Sequence, residues 1–323
     1  MQQSSAPGAF RNSGHEFAAT RVVCPICGPA DSQPVGISCG LPVVTCCGCG
    51  LTYVAECPAV SETLKFFRDE YVPDAESAEV SFVDSRGKSL ERGAARIRRH
   101  VPNGGRLLDV GTAAGFFLRQ FHGDAAWEAE GVEPSRVAAQ YARQKFGATV
   151  HEGFLEDQRF ADGTFDVLCS MDAFVCHRTP RADMQEFFRV LRPGGVLAIE
   201  IPGHRFRMLF GSGWIYRWLT GDSLRLNAGV NYFYYTRETL SHLAGLCGFE
   251  LEASYPESMP QSDRPVRQLF RSLWDAGAAA LYRMTGGRVN YCSKELCIFR
   301  KPATATSAER ITTQPVPARA FAA

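Results

Sequence analysis

Leu107-Leu-Asp109-Val-Gly111-Thr-Ala-Ala-Gly115-Phe-Phe-Leu118 decides the fold. Four residues, Leu107 to Val110, read as a strand with the acid Asp109 near its end. The turn from Gly111 to Gly115 follows, and the spacing predicts a helix through Phe116, Phe117 and Leu118. Gly111 permits the tight turn and Gly115 permits close approach of backbone to a ligand. The same alternation continues downstream. Strands are predicted at Glu130–Glu133, Ala148–His151, Phe165–Ser170 and Val196–Ile201, with helices at Ser135–Phe146 and Arg181–Leu191. Beyond these, a helix is predicted at Arg237–Cys247 and strands at Phe249–Ala253 and Val289–Phe299. Strand–helix alternation of this kind predicts an α/β, doubly wound, mostly parallel sheet with helices on both faces.

The glycine turn narrows the ligand. It is not Gly-x-Gly-x-x-Gly, so the dinucleotide fingerprint for pyrophosphate is absent. Asp109 repels pyrophosphate but can hydrogen-bond a cation through water. Glu133 ends the second strand 24 residues later, where a carboxylate accepts both hydroxyls of a ribose. A cationic ligand with a free ribose fits these two acids, and S-adenosylmethionine is such a ligand.

Seven of the twelve cysteines lie between residues 24 and 57. Cys24-Pro-Ile-Cys27-Gly28 and Cys46-Cys-Gly-Cys49-Gly50 are two Cys-x-x-Cys turns separated by eighteen residues. Each turn aims two thiolates at one ion, and two turns on facing hairpins make a closed, tetrahedral four-cysteine site of the kind zinc prefers. A closed site has no open coordination position, so the expected Zn2+ is structural. Cys39 and Cys47 are spare. A pair of disulfides or free thiols is the alternative reading.

Length, charge and tails bound the rest. With 323 residues the chain has room for about two domains. Apolar content of 45% and a net charge of +1 describe an ordinary globular protein with no bulk attraction for nucleic acid. No apolar run approaches the ~18 residues of a membrane-spanning helix. No secretory signal is visible at the start, so a cytoplasmic protein is expected. The expected order is a disordered tail (1–20), a zinc ribbon (21–60) and a helical connector (61–101). A catalytic domain (102–302) with insertions at about 203–230 and 256–287 follows, then a disordered tail (303–323).

From about Arg106 to Pro202 the sequence resembles the class I S-adenosylmethionine-dependent methyltransferases. The pieces that carry the resemblance are Asp109-Val-Gly111-Thr-Ala-Ala-Gly115, Gly131-Val-Glu133-Pro-Ser, Phe165-Asp-Val-Leu and Leu191-Arg-Pro-Gly-Gly195. The ribbon cysteines, Phe67-Arg-Asp-Glu-Tyr71 and Asn231-Tyr-Phe-Tyr-Tyr-Thr236 resemble a bacterial branch that carries a zinc ribbon ahead of the core and acts on small molecules and sugars. The resemblance implies a seven-stranded Rossmann-like sheet. It places Asp109, Gly111 and Gly115 around the methionine of the cofactor and Glu133 at its ribose. Phe154 and Leu155 would flank the adenine, and Met171 and Asp172 would lie beside the sulfonium. Ala113 departs from the pattern, standing where glycine is common.

The general base is not carried over by this resemblance. Where relatives have Glu-His after the fourth strand, this chain has Val175-Cys176, with His177 one place later; their histidine before the Tyr/Phe segment corresponds to Asn231. His177 and His204 are therefore the candidate bases. The aromatic stretch Phe206–Trp218 reads as a lid, and Arg205, Arg207, Arg217 and Arg225 can bind a phosphate or carboxylate on the acceptor. The same stretch suits peripheral membrane contact if the acceptor is lipid-linked. The helix around Val266–Tyr282 reads as a second lid or a homodimer contact.

The leading expectation is methyl transfer to a hydroxyl of a sugar, glycolipid or secondary metabolite. Carbon or nitrogen acceptors, RNA, and a non-catalytic scaffold are the alternatives. Against RNA, residues 21–60 hold one basic side chain, Arg21, and no lysine.

Overall fold

The computed structural model describes residues 20–72, 75–211, 224, 226–259 and 265–303. The expected tails, apart from Thr20 and Ala303, lie outside the described residues, as do Trp214, Ile215, Tyr216, Arg217, Trp218 and Arg225 of the expected lid.

The chain begins with short antiparallel strands: β1 (Thr20–Arg21), β2 (Ser32–Ser38), β3 (Leu41–Cys46), β4 (Thr52–Val54) and β5 (Glu56–Cys57). A two-residue turn joins β2 to β3, with Cys39 at φ 50° and Gly40 at φ 71°. Two consecutive positive φ values match the right-handed twist of a hairpin. The spare Cys39 is thus a turn residue. Helices α1 (Val60–Asp69) and α2 (Ala75–His100) follow.

The larger sheet then builds from β6 (Gly105–Val110), β7 (Trp127–Glu133), α3 (Arg136–Phe146), β8 (Thr149–Glu152), α4 (Leu155–Gln158), β9 (Phe165–Met171), α5 (Pro180–Val190) and β10 (Leu191–Pro202). After α6 (His204–Gly211) come β11 (Phe233–Tyr234), α7 (Arg237–Leu246), β12 (Glu250–Glu257), α8 (Pro265–Met284) and β13 (Lys294–Arg300). Seven strands lie in the order β12-β13-β10-β9-β6-β7-β8. The pairs β8–β7, β7–β6, β6–β9 and β9–β10 are parallel, and β13 is antiparallel to both its neighbours. The strand order reverses between β6 and β9, the switch point outside which ligands bind in such sheets.

Alternate residues face opposite layers. Leu108, Leu168 and Leu197 join one buried cluster, Leu107, Val167 and Val196 the other. Strands apolar on both sides belong to a parallel sheet covered on both faces. Leu90, Ala94 and Ile97 of α2 seal one face together with α3. Helices α5 and α7 seal the other, in a cluster that continues into Leu41, Val43, Leu51 and Tyr53 of the N-terminal strands.

That continuity has a backbone counterpart. β11, more than 170 residues further along the chain, is the fourth strand of the N-terminal sheet, in the order β11-β4-β3-β2. Phe233 pairs with Tyr53, and the Val54 N–H donates to the Tyr232 carbonyl at 2.9 Å. The Tyr232 N–H in turn donates to the Val175 carbonyl at 2.9 Å, just past β9.

Two expectations need correction. No α-helix follows Gly115; turns and a 3-10 turn at Leu118–Phe121 stand there instead. Ala113 at φ 49° and Gly115 at φ 78° interrupt helical geometry, while Phe116, Phe117, Leu118 and Phe121 are buried. The last strand starts at Lys294 and not Val289. Asn290 spends its side chain on the Cys292 N–H at 2.8 Å and on Glu295 at 2.7 Å, a local turn that delays the ladder. No helix among the described residues is long and apolar enough to cross a membrane.

Candidate active site and cysteine cluster

A cavity of about 620 Å³ opens beyond the carboxyl ends of β6, β7 and β9. Asp109, Gly111, Glu133, Phe154, Leu155, Met171, Asp172 and His177 all line it. Gly115 does not. A Cβ on Gly115 would stand 2.8 Å from Ala142 Cβ, so this glycine lets the turn pack on α3. At Gly111, φ is 77° and a Cβ would meet Ala173 Cβ at 2.6 Å, which keeps that wall of the cavity thin.

Glu133 is buried and accepts the Ala113 N–H at 2.7 Å on one oxygen and the Ser135 N–H at 2.8 Å on the other. A carboxylate has about four acceptor positions, so each oxygen keeps one for a ligand. Burial pushes the Glu133 carboxyl up to about 7, against the two N–H donors that hold it down. Asp109 is also buried, and its Oδ1 accepts the Cys169 thiol at 3.4 Å. Between them Thr112 Oγ1 is buried without a partner among the described residues. Two buried acids and an orphaned hydroxyl around a glycine turn fit a ribose-bearing cation.

Across the cavity, His177 Nδ1 lies 3.0 Å from Asp183 Oδ2, and Asp183 also accepts Thr179 Oγ1 at 3.2 Å. Phe174 and Phe187 hold the imidazole ring at 5.2 and 6.0 Å between centroids. A carboxylate on Nδ1 selects the tautomer with its proton there, which leaves Nε2 as the acceptor. Cys176 also lines the cavity; burial pushes its thiol up to about 12, so it is a neutral donor, set against Asn231 Oδ1 at 3.5 Å.

His204 stands elsewhere. It is outside the cavity lining, with Nε2 3.5 Å from Thr52 Oγ1, and burial beside Arg205 and Arg207 pushes it down to about 4. Of the expected lid at 203–230, residues 212–223 and Arg225 lie outside the described residues, and Asn227 and Val230 line the cavity. Phe206 and Phe210 pack on Trp274 of α8, and of the described 203–211 stretch only Arg207 reaches the cavity. Among the described residues, none of α8 lines it.

Sequence reading missed several walls. Thr63, Leu64 and Phe67 of α1, with Tyr71, close the outer side. In the sequence they belong to a helical connector, and Phe67 and Tyr71 also to the branch resemblance, with no sign there that they line a cavity. Lys294 is a second omission. Its Nζ donates to Asp172 at 2.6 Å and to buried Glu200 at 2.9 Å. Asp172 itself holds φ 68°, a conformation a non-glycine residue keeps only when its surroundings impose it.

On the N-terminal sheet, the sulfurs of Cys24, Cys27, Cys46 and Cys49 lie within 4.8 Å of one another. Tetrahedral zinc with ~2.3 Å bonds needs sulfurs ~3.8 Å apart, so the four thiols fit that ion. Both turns carry the same backbone bond, Gly28 N–H to the Cys24 carbonyl and Gly50 N–H to the Cys46 carbonyl, at 2.8 and 2.9 Å. Cys49 lies 3.5 Å from Cys24, and as donor to it pulls the Cys24 thiol down to about 5. Cys47 is exposed.

Comparison with known proteins agrees with this architecture. The methyltransferase-domain family profile matches residues 83–254, more than half of the chain. A malonyl-acyl-carrier-protein O-methyltransferase from Pectobacterium atrosepticum is 33% identical over 119 residues, covering 36% of this chain and 46% of that protein. O-methyltransferase resE from Aspergillus sclerotiorum is 29% identical over 141 residues, covering 42% of this chain and 52% of that protein. The chain thus spans about half the length of the curated relatives it matches. Among solved structures, phosphoethanolamine N-methyltransferase 2 of Haemonchus contortus shares the fold at a TM-score of 0.51 and 17% identity, over 78% of this chain and 63% of that one. The chain belongs to the methyltransferase-domain family, and residues 83–254 are a class I S-adenosylmethionine-dependent methyltransferase domain.

Proposed function

We propose that this protein transfers the methyl group of S-adenosylmethionine to a hydroxyl of a small-molecule acceptor, such as a sugar, glycolipid or secondary metabolite. We further propose that zinc held by Cys24, Cys27, Cys46 and Cys49 braces the fold. The observation that carries the reading is the His177–Asp183 pair in the same cavity as Asp109 and Glu133. The two curated relatives are named O-methyltransferases, which supports oxygen as the acceptor atom.

S-adenosylmethionine, when bound, supplies an electrophilic methyl on a sulfonium. The residues do the rest. Glu133 offers its two remaining acceptor positions to the ribose hydroxyls, and Asp109 offers negative charge to the cationic end. His177 Nε2 takes the proton of the acceptor hydroxyl, and Asp183 stabilises the imidazolium that forms. Asp172 is held in an ion pair with Lys294, which it shares with Glu200. Phe67, Tyr71 and Leu64 exclude water around the reacting atoms. The cysteine cluster has no open position and takes no part in the chemistry.

His177→Ala is expected to lower turnover by ~10²–10⁴-fold while cofactor affinity stays within a factor of two. The check is release of S-adenosylhomocysteine against a panel of hydroxylated acceptors, with calorimetry for the cofactor. Unchanged turnover would remove His177 as the base. Asp183→Asn is expected to reduce turnover less and to move its pH profile.

Cofactor affinity is expected to depend on pH through Glu133. In the free protein its carboxyl is half protonated at about 7, and a protonated oxygen is a poor acceptor for ribose. The bound cation favours the carboxylate, so binding below that pH releases a proton. Affinity should therefore rise with pH to about 7 and level off above it. Calorimetry in buffers of different ionisation enthalpy measures the released proton, and Glu133→Gln should abolish it. A flat profile in the native protein would count against Glu133 as the ribose ligand.

A further inference from the structure

Among the described residues, most large apolar side chains that are more than half exposed stand on two helices, Val23 being the exception. Leu209 and Phe210 of α6 and Val266, Leu269, Phe270 and Leu273 of α8 are each more than half exposed, from 51% at Phe210 to 80% at Val266. Ring contacts join the two helices into one surface: Phe210 meets Trp274 at 4.9 Å, and Phe270 meets Trp274 at 6.3 Å. Positions 266, 269, 270 and 273 have the i, i+3, i+4, i+7 spacing that ordinarily marks the face a helix turns to the core. Here that stripe is in solvent. The inward face of α8 is a different one, with Ala278 and Tyr282 buried. The Tyr282 hydroxyl donates to Glu295 at 2.8 Å, and Trp274 Nε1–H donates to the Tyr291 carbonyl at 3.1 Å.

Charge decides what covers the outer face. Residues 203–211 and 265–288 carry six arginines, one of them the cavity-lining Arg207, no lysine and one carboxylate, Asp275. That carboxylate is turned to the Met259 N–H at 3.1 and 3.2 Å. Over the whole chain basic and acidic side chains balance at 35 to 34, so the excess is local. Two copies meeting through this face would set arginine against arginine. A bilayer with anionic headgroups supplies the opposite charge at the rim and an apolar interior for the stripe.

We propose that this face of α6 and α8 docks on an anionic lipid bilayer, the apolar side chains entering the boundary below the headgroups and the arginines meeting the phosphates. Helix α6 links that surface to the active-site cavity. Its Arg207 lines the cavity while its Leu209 and Phe210 stand in solvent, so the docking helix is also a cavity wall. Docking does not depend on which acceptor is methylated.

The test is co-sedimentation of the full chain with extruded vesicles of mixed phosphatidylglycerol and phosphatidylcholine, and with phosphatidylcholine alone. Binding to the anionic vesicles is expected to be at least tenfold tighter and to weaken as salt is raised. Phe270→Glu with Leu273→Glu should weaken it at least tenfold, with the circular dichroism melting curve unchanged because both side chains are exposed. Arg283→Glu with Arg288→Glu should remove the preference for anionic lipid while leaving the apolar stripe intact. No binding of the native chain to anionic vesicles, or equal binding by the Phe270/Leu273 double variant, overturns the proposal. So does a native dimer that this variant converts to monomer while neither form binds vesicles, since the face is then a contact between copies.

Discussion

Cys24→Ser is expected to release the metal and to lower stability well beyond the N-terminal strands, by at least ~4 kcal/mol and about 6 °C or more in melting temperature. Metal content by mass spectrometry should fall from one zinc per chain to a trace. The physical reason is the sharing of structure. Cys46 closes β3, β3 pairs with β4, and β4 pairs with β11 from the far end of the chain. Asn231, two residues before β11, lines the active-site cavity, and Tyr232 is tied to Val175 beside β9. Loss of the metal should therefore release amide protection at Val54 and Tyr232 together, read by hydrogen exchange. Retained zinc in Cys24→Ser would refute the four-cysteine assignment. Zinc loss with those amides still protected would show that the cluster does not brace the cavity wall.

Glu133→Ala is expected to weaken S-adenosylmethionine binding by ~10²–10⁴-fold while the zinc stays in place. Two hydrogen bonds from ribose hydroxyls to a carboxylate are worth ~1.5–3 kcal/mol each, which sets that range. The substitution also orphans the Ala113 and Ser135 N–H groups that Glu133 now satisfies, at 2.7 and 2.8 Å. Ala113 holds φ 49°, so the glycine turn loses the contact that keeps it in a disfavoured conformation. Asp109→Ala should have a comparable effect through the loss of negative charge beside the methionine part of the cofactor. Calorimetry with the cofactor and with S-adenosylhomocysteine reads both variants. Native-like affinity in either would remove that residue from the cofactor site.

That Asp109, Gly111 and Glu133 would meet around one cavity was legible because the signals are local in sequence. Asp109, Gly111 and Glu133 sit at strand ends, and a strand end is visible as the point where an apolar run meets a polar residue or glycine. The cysteine turns were legible for the same reason, since two residues between ligands is a constraint on one turn. The acceptor side was not. Phe67 and Tyr71 carry a family resemblance but no sign that they line a cavity, and Lys294 lies 122 residues from the Asp172 it pairs with. His204 shows the converse failure. Its place just after the fifth strand resembles that of a site residue, but the chain turns it towards Thr52 and away from the cavity.

The sequence by itself determined the α/β alternation, the position of the glycine turn and the cysteine spacing. These follow from hydrophobic period and backbone permission, which act over a few residues. Tertiary structure alone decided that β11 completes the sheet of the cysteine module and that α1 closes the cavity. It alone decided that α8 turns its apolar stripe outward. Those outcomes depend on which of several similar apolar faces finds a partner. That choice is set by packing between segments far apart in the chain, where period and composition are the same whichever face is buried.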